Sequence, residues 1–220
     1  MTLQDKLDAF KADFEANVAP AEAVQAFHRS NRELIDAGRA ERALRAGDVS
    51  PAFSLRNAEG STVTSDALLA RGPLVLSFYR GVWCPYCNLE LKALEDVRAK
   101  IEARGASLVA VSLQNAASSR KSKRDNGLSF PILTDAGGEL SRRFGLLWQL
   151  PEYLVKVFQS FKVELPALHD EDAWRLPMPA RYVIDRDGSI AYGEVNPDYT
   201  RRPEPSDLFP VLDRLQGKAA

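Results

Sequence analysis

Cysteine, histidine and unbalanced charge are all scarce in this sequence. Its 220 residues hold two cysteines and two histidines, with a formal net charge of -1. The histidines, His28 and His169, lie far from the cysteines and show no ligand spacing. A structural zinc site wants four ligands, so no metal is expected. The balanced charge gives no reason to expect nucleic acid or an anionic membrane as partner. The basic run Arg120-Lys121-Ser122-Lys123-Arg124 reads as a solvated helix face. No apolar run approaches the roughly 18 residues of a membrane span. Met1-Thr2-Leu3-Gln4-Asp5-Lys6 offers neither a basic n-region nor an apolar h-region, so no signal peptide is expected. The expected setting is a reducing cytoplasm, where a lone cysteine pair is more readily catalytic than a structural staple.

What is present is an ordinary globular composition, enough for one core and a small appendage. Residues 1–46 read as a helical extension. Leu3, Leu7, Phe10, Phe14 and Val18 recur at spacings of three and four, and after Pro20 a second stretch carries Val24, Phe27, Leu34 and Ile35. These helices either pack on the main domain or pair two copies of the chain as a homodimer. From residue 47 to 217 the pattern is α/β. A hairpin spans 48–64. Strands at 74–79, 107–112 and 130–133 then alternate with helices at 85–104, 116–125 and 137–144, which implies a mainly parallel, covered sheet. A hairpin over 181–192 and a helix over 207–215 close the domain. The stretch 146–176, with Trp148, Tyr153, Phe158, Phe161 and Trp174, is long for a plain connection and predicts extra helices near the site.

Both cysteines fall in Trp83-Cys84-Pro85-Tyr86-Cys87, between the apolar run Leu74-Val75-Leu76-Ser77-Phe78-Tyr79 and a helical stretch. A C-x-x-C at a strand-to-helix junction is the signature of a thioredoxin-like redox site. Residues three apart on a helix share a face, so the sulfurs can meet. The positive N-terminal end of the helix stabilises a thiolate, and such cysteines titrate at about 3.5–7.5 instead of about 8.5. Pro85 suits the first helical position, where its missing N–H costs nothing. Two inert buried cysteines are the competing bland reading.

Ala46-Gly47-Asp48-Val49-Ser50-Pro51-Ala52-Phe53-Ser54-Leu55, the segment Phe78 to Leu91, Phe130-Pro131-Ile132-Leu133-Thr134-Asp135 and Val183-Ile184-Asp185-Arg186-Asp187-Gly188 occur in an order that resembles the peroxiredoxin-like alkyl hydroperoxide reductase and thiol-specific antioxidant family. The resemblance implies a thioredoxin-like fold, a central mixed sheet flanked by helices. It also implies a thiol-dependent peroxidase acting on hydrogen peroxide or organic hydroperoxides, with an external thiol reductant such as a thioredoxin-like protein and no cofactor.

The site departs from the family pattern. Peroxiredoxins carry Pro-x-x-x-Thr/Ser-x-x-Cys; here Arg80 stands at the proline, Cys84 at the Thr/Ser and Cys87 at the peroxidatic cysteine, with Glu90 at an acidic position beyond. Where the family has an arginine three residues before Tyr182, this chain has Pro179, the place of the cis-proline that faces C-x-x-C in thioredoxin-like disulfide reductases. Two registers follow: Cys84 attacks and Cys87 resolves, or the reverse. Both end in a Cys84–Cys87 disulfide. Arg80 and Arg181 are the sequence candidates to hold a thiolate or polarise a peroxide. Trp83 either gates access or caps the core. A thiol–disulfide oxidoreductase acting on disulfide substrates is the alternative enzyme, and a non-enzymatic redox-sensing or binding module is the third reading.

Overall fold

The apolar stripe of the N-terminus folds as α1 (Leu3–Asp13), opened by a reciprocal cap: Thr2 Oγ1 accepts the Asp5 N–H and the Asp5 carboxylate accepts the Thr2 N–H. The structure is a computed structural model and describes residues 1–218. One π turn (Phe14–Val18) follows, closed by Ala19 N–H to the Phe14 carbonyl, and then α2 (Ala21–Asp36). The π turn winds wider than 3.6 residues per turn, so Val18 leaves the stripe predicted for it and is 59% exposed. Ile35 is likewise on the solvent side.

The α/β part runs β1 (Ser54–Asn57), β2 (Thr62–Thr64), α3 (Ser65–Leu69), β3 (Leu74–Phe78), α4 (Pro85–Glu102), β4 (Ser107–Ser112), α5 (Ala116–Asn126), β5 (Ile132–Thr134) and α6 (Glu139–Arg143). The insert holds β6 (Leu147–Gln149), α7 (Glu152–Ser160), α8 (Leu165–His169) and β7 (Arg175–Pro177); β8 (Ala180–Ile184), β9 (Ile190–Val195) and α9 (Leu208–Lys218) finish the chain. The insert therefore carries the expected helices and also an unforeseen strand pair, β6 against β7. His169, expected in a polar loop, is buried at the end of α8, and burial pushes its imidazole pKa down to about 4.

Seven strands form one sheet in the order β2-β1-β5-β4-β3-β8-β9. Only β3 with β4 and β4 with β5 are parallel; the edge hairpins β1–β2 and β8–β9 and the long-range pairs β1–β5 and β3–β8 are antiparallel. The sheet is thus mixed, as the family resemblance implies, and not mainly parallel as the alternation of elements suggested. Each parallel pair needs a helical crossover, and the terminal segments return by short turns instead.

β3 is buried on both faces, which explains its unbroken apolar run. Its alternation sorts two cores. Val75 faces a layer with Leu91, Leu94, Leu208 and Leu212, while Leu74, Leu76 and Phe78 face Phe144, Met178 and Tyr182. Leu3 and Leu7 of α1 belong to the first layer, so the N-terminal helix packs on the main domain of its own chain. Full burial of each such side chain contributes about 1.5–3 kcal/mol. β3 is held rigidly between these layers, and the cysteines lie just past its end. No helix of the described residues is long and apolar enough to cross a membrane.

Candidate active site

Beyond Phe78 the chain must turn from a buried strand into α4, and Gly81 makes the turn. Its φ is +146°, and a Cβ there would lie 2.5 Å from Trp83 Nε1. Two side chains pin the loop: Gln114 Oε1 accepts the Val82 N–H at 2.9 Å, and Asn88 Nδ2 donates to the Val82 carbonyl at 2.8 Å. Gln114 in turn bonds the hydroxyl of buried Tyr79, which also donates to Ser122. Cys84 is then the N-cap of α4, with extended φ −94° and ψ 108°, Pro85 opens the helix, and Cys87 lies in its first turn.

Both thiols are free and buried, Cys84 at 1% exposure and Cys87 at 0%. They titrate in opposite directions. Burial pushes Cys84 up, but a hydrogen bond from the Cys87 thiol and the charges of Arg80 and Arg202 outweigh it and bring it down to about 6. Burial, the same hydrogen bond and the neighbouring Cys84 charge push Cys87 well above the ordinary thiol range. The pair loses one proton readily and keeps the other, with the negative charge on Cys84.

Three arginines set the charge. Arg202 Nη2 lies 3.7 Å from Cys87 Sγ, and its Nε is 2.5 Å from Glu90 Oε2. Arg181 Nη2 meets Glu90 Oε1 at 2.7 Å and spends Nη1 on the carbonyls of Pro203 and Glu204. Glu90 therefore sits between two guanidiniums at 2% exposure. Arg80 is different. At 6% exposure it has no carboxylate partner among the described residues, and its Nη1 is buried without a hydrogen bond. Its guanidinium carbon lies 4.0 Å from the Tyr199 ring centre and 4.8 Å from that of Trp83. Aromatic faces hold this cation in place of an acid.

A cavity of about 240 Å³ opens over this corner. Phe10, Phe14 and Phe27 come to it from the N-terminal helices, Phe158, Phe161 and Val163 from the insert, and Arg80, Trp83, Cys84, Tyr86 and Tyr199 from the domain itself. Cys84 lines the cavity; Cys87 does not.

Of the residues predicted from the sequence, Cys84, Cys87, Arg80 and Trp83 come together. Arg181 reaches the thiols only through Glu90 and Arg202. The Met178–Pro179 bond is trans, since the described residues hold no cis peptide. Pro179 lines a small cleft with Glu90, Arg181 and Arg202, away from the cavity over Cys84. Arg202, Tyr199, Gln114 and the phenylalanines of the extension were missed. The first three lie outside any local motif, and a helical stripe of phenylalanine reads as core.

The arrangement is a poised dithiol: one thiolate open to a cavity, one protonated thiol behind it, and cations around both. Over 181 residues the chain is 28% identical to the chloroplastic peroxiredoxin Q of Triticum aestivum, covering 82% of this chain and 73% of that one. It is 27% identical over 146 residues to the chloroplastic peroxiredoxin Q of Oryza sativa subsp. japonica, covering 66% of this chain but only 57% of the relative. The crystal structure of peroxidoxin BcpB from Mycobacterium tuberculosis superimposes with a TM-score of 0.61 at 21% identity, over 79% of this chain and 97% of that one, which shows the shared fold. Residues 46–193, well over half of the chain, match the AhpC/TSA family, and the chain belongs to that family.

Proposed function

We propose that this protein is a thiol-dependent peroxidase that reduces hydrogen peroxide or an organic hydroperoxide, with Cys84 attacking and Cys87 resolving. The observation that carries this reading is the cavity that ends on Cys84, the thiol held low by its surroundings, with Cys87 already hydrogen-bonded to it. The Cys84 thiolate attacks the distal peroxide oxygen and the O–O bond breaks. Cys84 becomes a sulfenic acid, and the leaving alkoxide or hydroxide takes up a proton. Arg80, which lines the cavity together with Cys84, is the cation to stabilise the charge that develops on the oxygens. The Cys87 sulfur then attacks Cys84, the S–O bond breaks and water leaves. In sum, dithiol and hydroperoxide give disulfide, alcohol and water, or two waters from hydrogen peroxide.

An external thiol, such as that of a thioredoxin-like protein, reduces the disulfide by exchange. A reducing compartment such as the cytoplasm suits that half-reaction. Because aromatic side chains cover Cys84, a protein dithiol reaches it only when that cover opens, and reduction is the slower half. The same cover ranks the thiol–disulfide oxidoreductase reading second, since a small peroxide fits the cavity directly and a protein disulfide does not.

Stopped-flow mixing of pre-reduced protein with hydrogen peroxide, followed by tryptophan emission, tests the proposal. The expected rate is far above that of free cysteine, lost in Cys84→Ser, with Cys87→Ser reacting once and stopping as a sulfenic acid. The opposite assignment of the two variants would make Cys87 the attacking group. A rate no better than free cysteine would overturn the peroxidase.

A further inference from the structure

The family match begins at residue 46, yet one wall of the cavity over Cys84 is built by Phe10, Phe14 and Phe27, which precede it. Phe27 is the hub of that wall. Its ring centre lies 6.3 Å from Phe14, 6.4 Å from Phe158, and 6.2 Å from both Phe161 and Tyr199. We infer that the N-terminal helices and the 146–176 insert together form a selectivity wall, which makes the site prefer a hydroperoxide carrying one apolar ring or a short branched chain over hydrogen peroxide. The inference rests on the proposed peroxidase activity and names its substrate class.

Three observations carry it. The wall is apolar, whereas the floor is polar: Cys84 and Arg80 face the same cavity. A hydroperoxide with an apolar body satisfies both, burying its body against rings while its O–O group meets the thiolate. Hydrogen peroxide leaves the rings unused and gives up hydrogen bonds to water on entering. Next, Arg80 lines the cavity nine-tenths buried and without a carboxylate partner among the described residues, so the floor carries a cation that an oxygen of the substrate would complement and the apolar wall does not. Finally, size sets the limit. At about 240 Å³ the cavity is smaller than the roughly 300–1,000 Å³ of pockets for drug-sized ligands, so it suits one ring and not a long lipid chain.

The test compares kcat/KM for cumene hydroperoxide and hydrogen peroxide in the full chain, in Phe27→Ala, which removes the hub, and in Val163→Phe, which fills the cavity. The expected ratio favours cumene hydroperoxide by tenfold or more and drops by about tenfold in each variant, the scale on which a pocket discriminates apolar bodies. A ratio near one in the full chain, or a ratio left unchanged from it in both variants, would overturn the inference while leaving the peroxidase standing. A second readout needs no turnover: 2-phenyl-2-propanol, the alcohol product, should shift the tryptophan emission of Cys84→Ser protein and lose that effect in Cys84→Ser/Val163→Phe. Alcohol binding without reaction toward either peroxide would refute the peroxidase and retain the ligand class of the cavity. No binding and no preference would refute the wall itself. Val163→Phe keeps the test open if Phe27→Ala fails to fold.

Discussion

Arg80 and Arg202 act on one dithiol, and their effect should be readable as a titration. With both charges present the first proton leaves near neutrality, because Cys84 is held at about 6. Iodoacetamide alkylation of the reduced protein should therefore show one inflection well below the ordinary thiol range. In Arg80→Met that inflection should move up toward about 8.5, the free-thiol value; an unmoved profile would mean Arg80 does not bias the pair. The same shift enters stability with a definite sign. Folding depresses the Cys84 pKa, so its contribution is present above the unfolded value and is lost as pH falls through the folded one. The Tm of reduced protein should rise from about pH 6 to about pH 8 relative to Cys84→Ser under the same conditions. Cys87, whose pKa folding raises, works in the opposite direction at higher pH.

At the scale of elements, the side chain of Gln4 links α1 to the segment that carries Arg202. Gln4 Oε1 accepts the Arg202 N–H at 3.1 Å, and Gln4 Nε2 donates to the Thr200 carbonyl at 3.3 Å. The segment 200–202 that delivers Arg202 to Cys87 is thus tied to the first turn of α1. Gln4→Ala removes both bonds, each worth about 0.5–1.5 kcal/mol. Equilibrium denaturation should show a loss of about 1–3 kcal/mol, and hydrogen exchange should quicken in α1. Unchanged exchange in α1 would show that its apolar face alone holds it. The sequence reveals elements of this kind unevenly. β3, α4 and the C-x-x-C were legible because strand burial, helix capping and residue spacing are local. Arg202 was not, because 115 residues separate it from Cys87 and no periodicity marks Thr200–Pro203. The Phe10–Phe14–Phe27 wall read as core because a stripe of apolar side chains looks the same whether it faces a packed layer or a cavity. The π turn that exposes Val18 left no trace in the hydrophobic pattern.

At the scale of the whole molecule, a mixed sheet holds one helix cap rigid, and two peripheral segments roof it. The rigid part and the roof answer to different needs. The sheet and α4 fix the chemistry, so the thiols need no rearrangement of α4 to meet: one is the cap and the other lies a turn inside. That closeness sets a race. A sulfenic acid on Cys84 either condenses with Cys87 or meets a second peroxide and becomes a sulfinic acid, which thiols do not reverse. An intramolecular partner already in hydrogen-bond contact should win at any ordinary peroxide concentration. Intact-mass analysis after a large excess of hydrogen peroxide should find the disulfide in the native chain and the sulfinic acid in Cys87→Ser; sulfinic acid in the native chain would refute it. The protein would then shrug off an oxidant burst unharmed, and its endurance, like its reactivity, would trace to three residues of spacing on one helix.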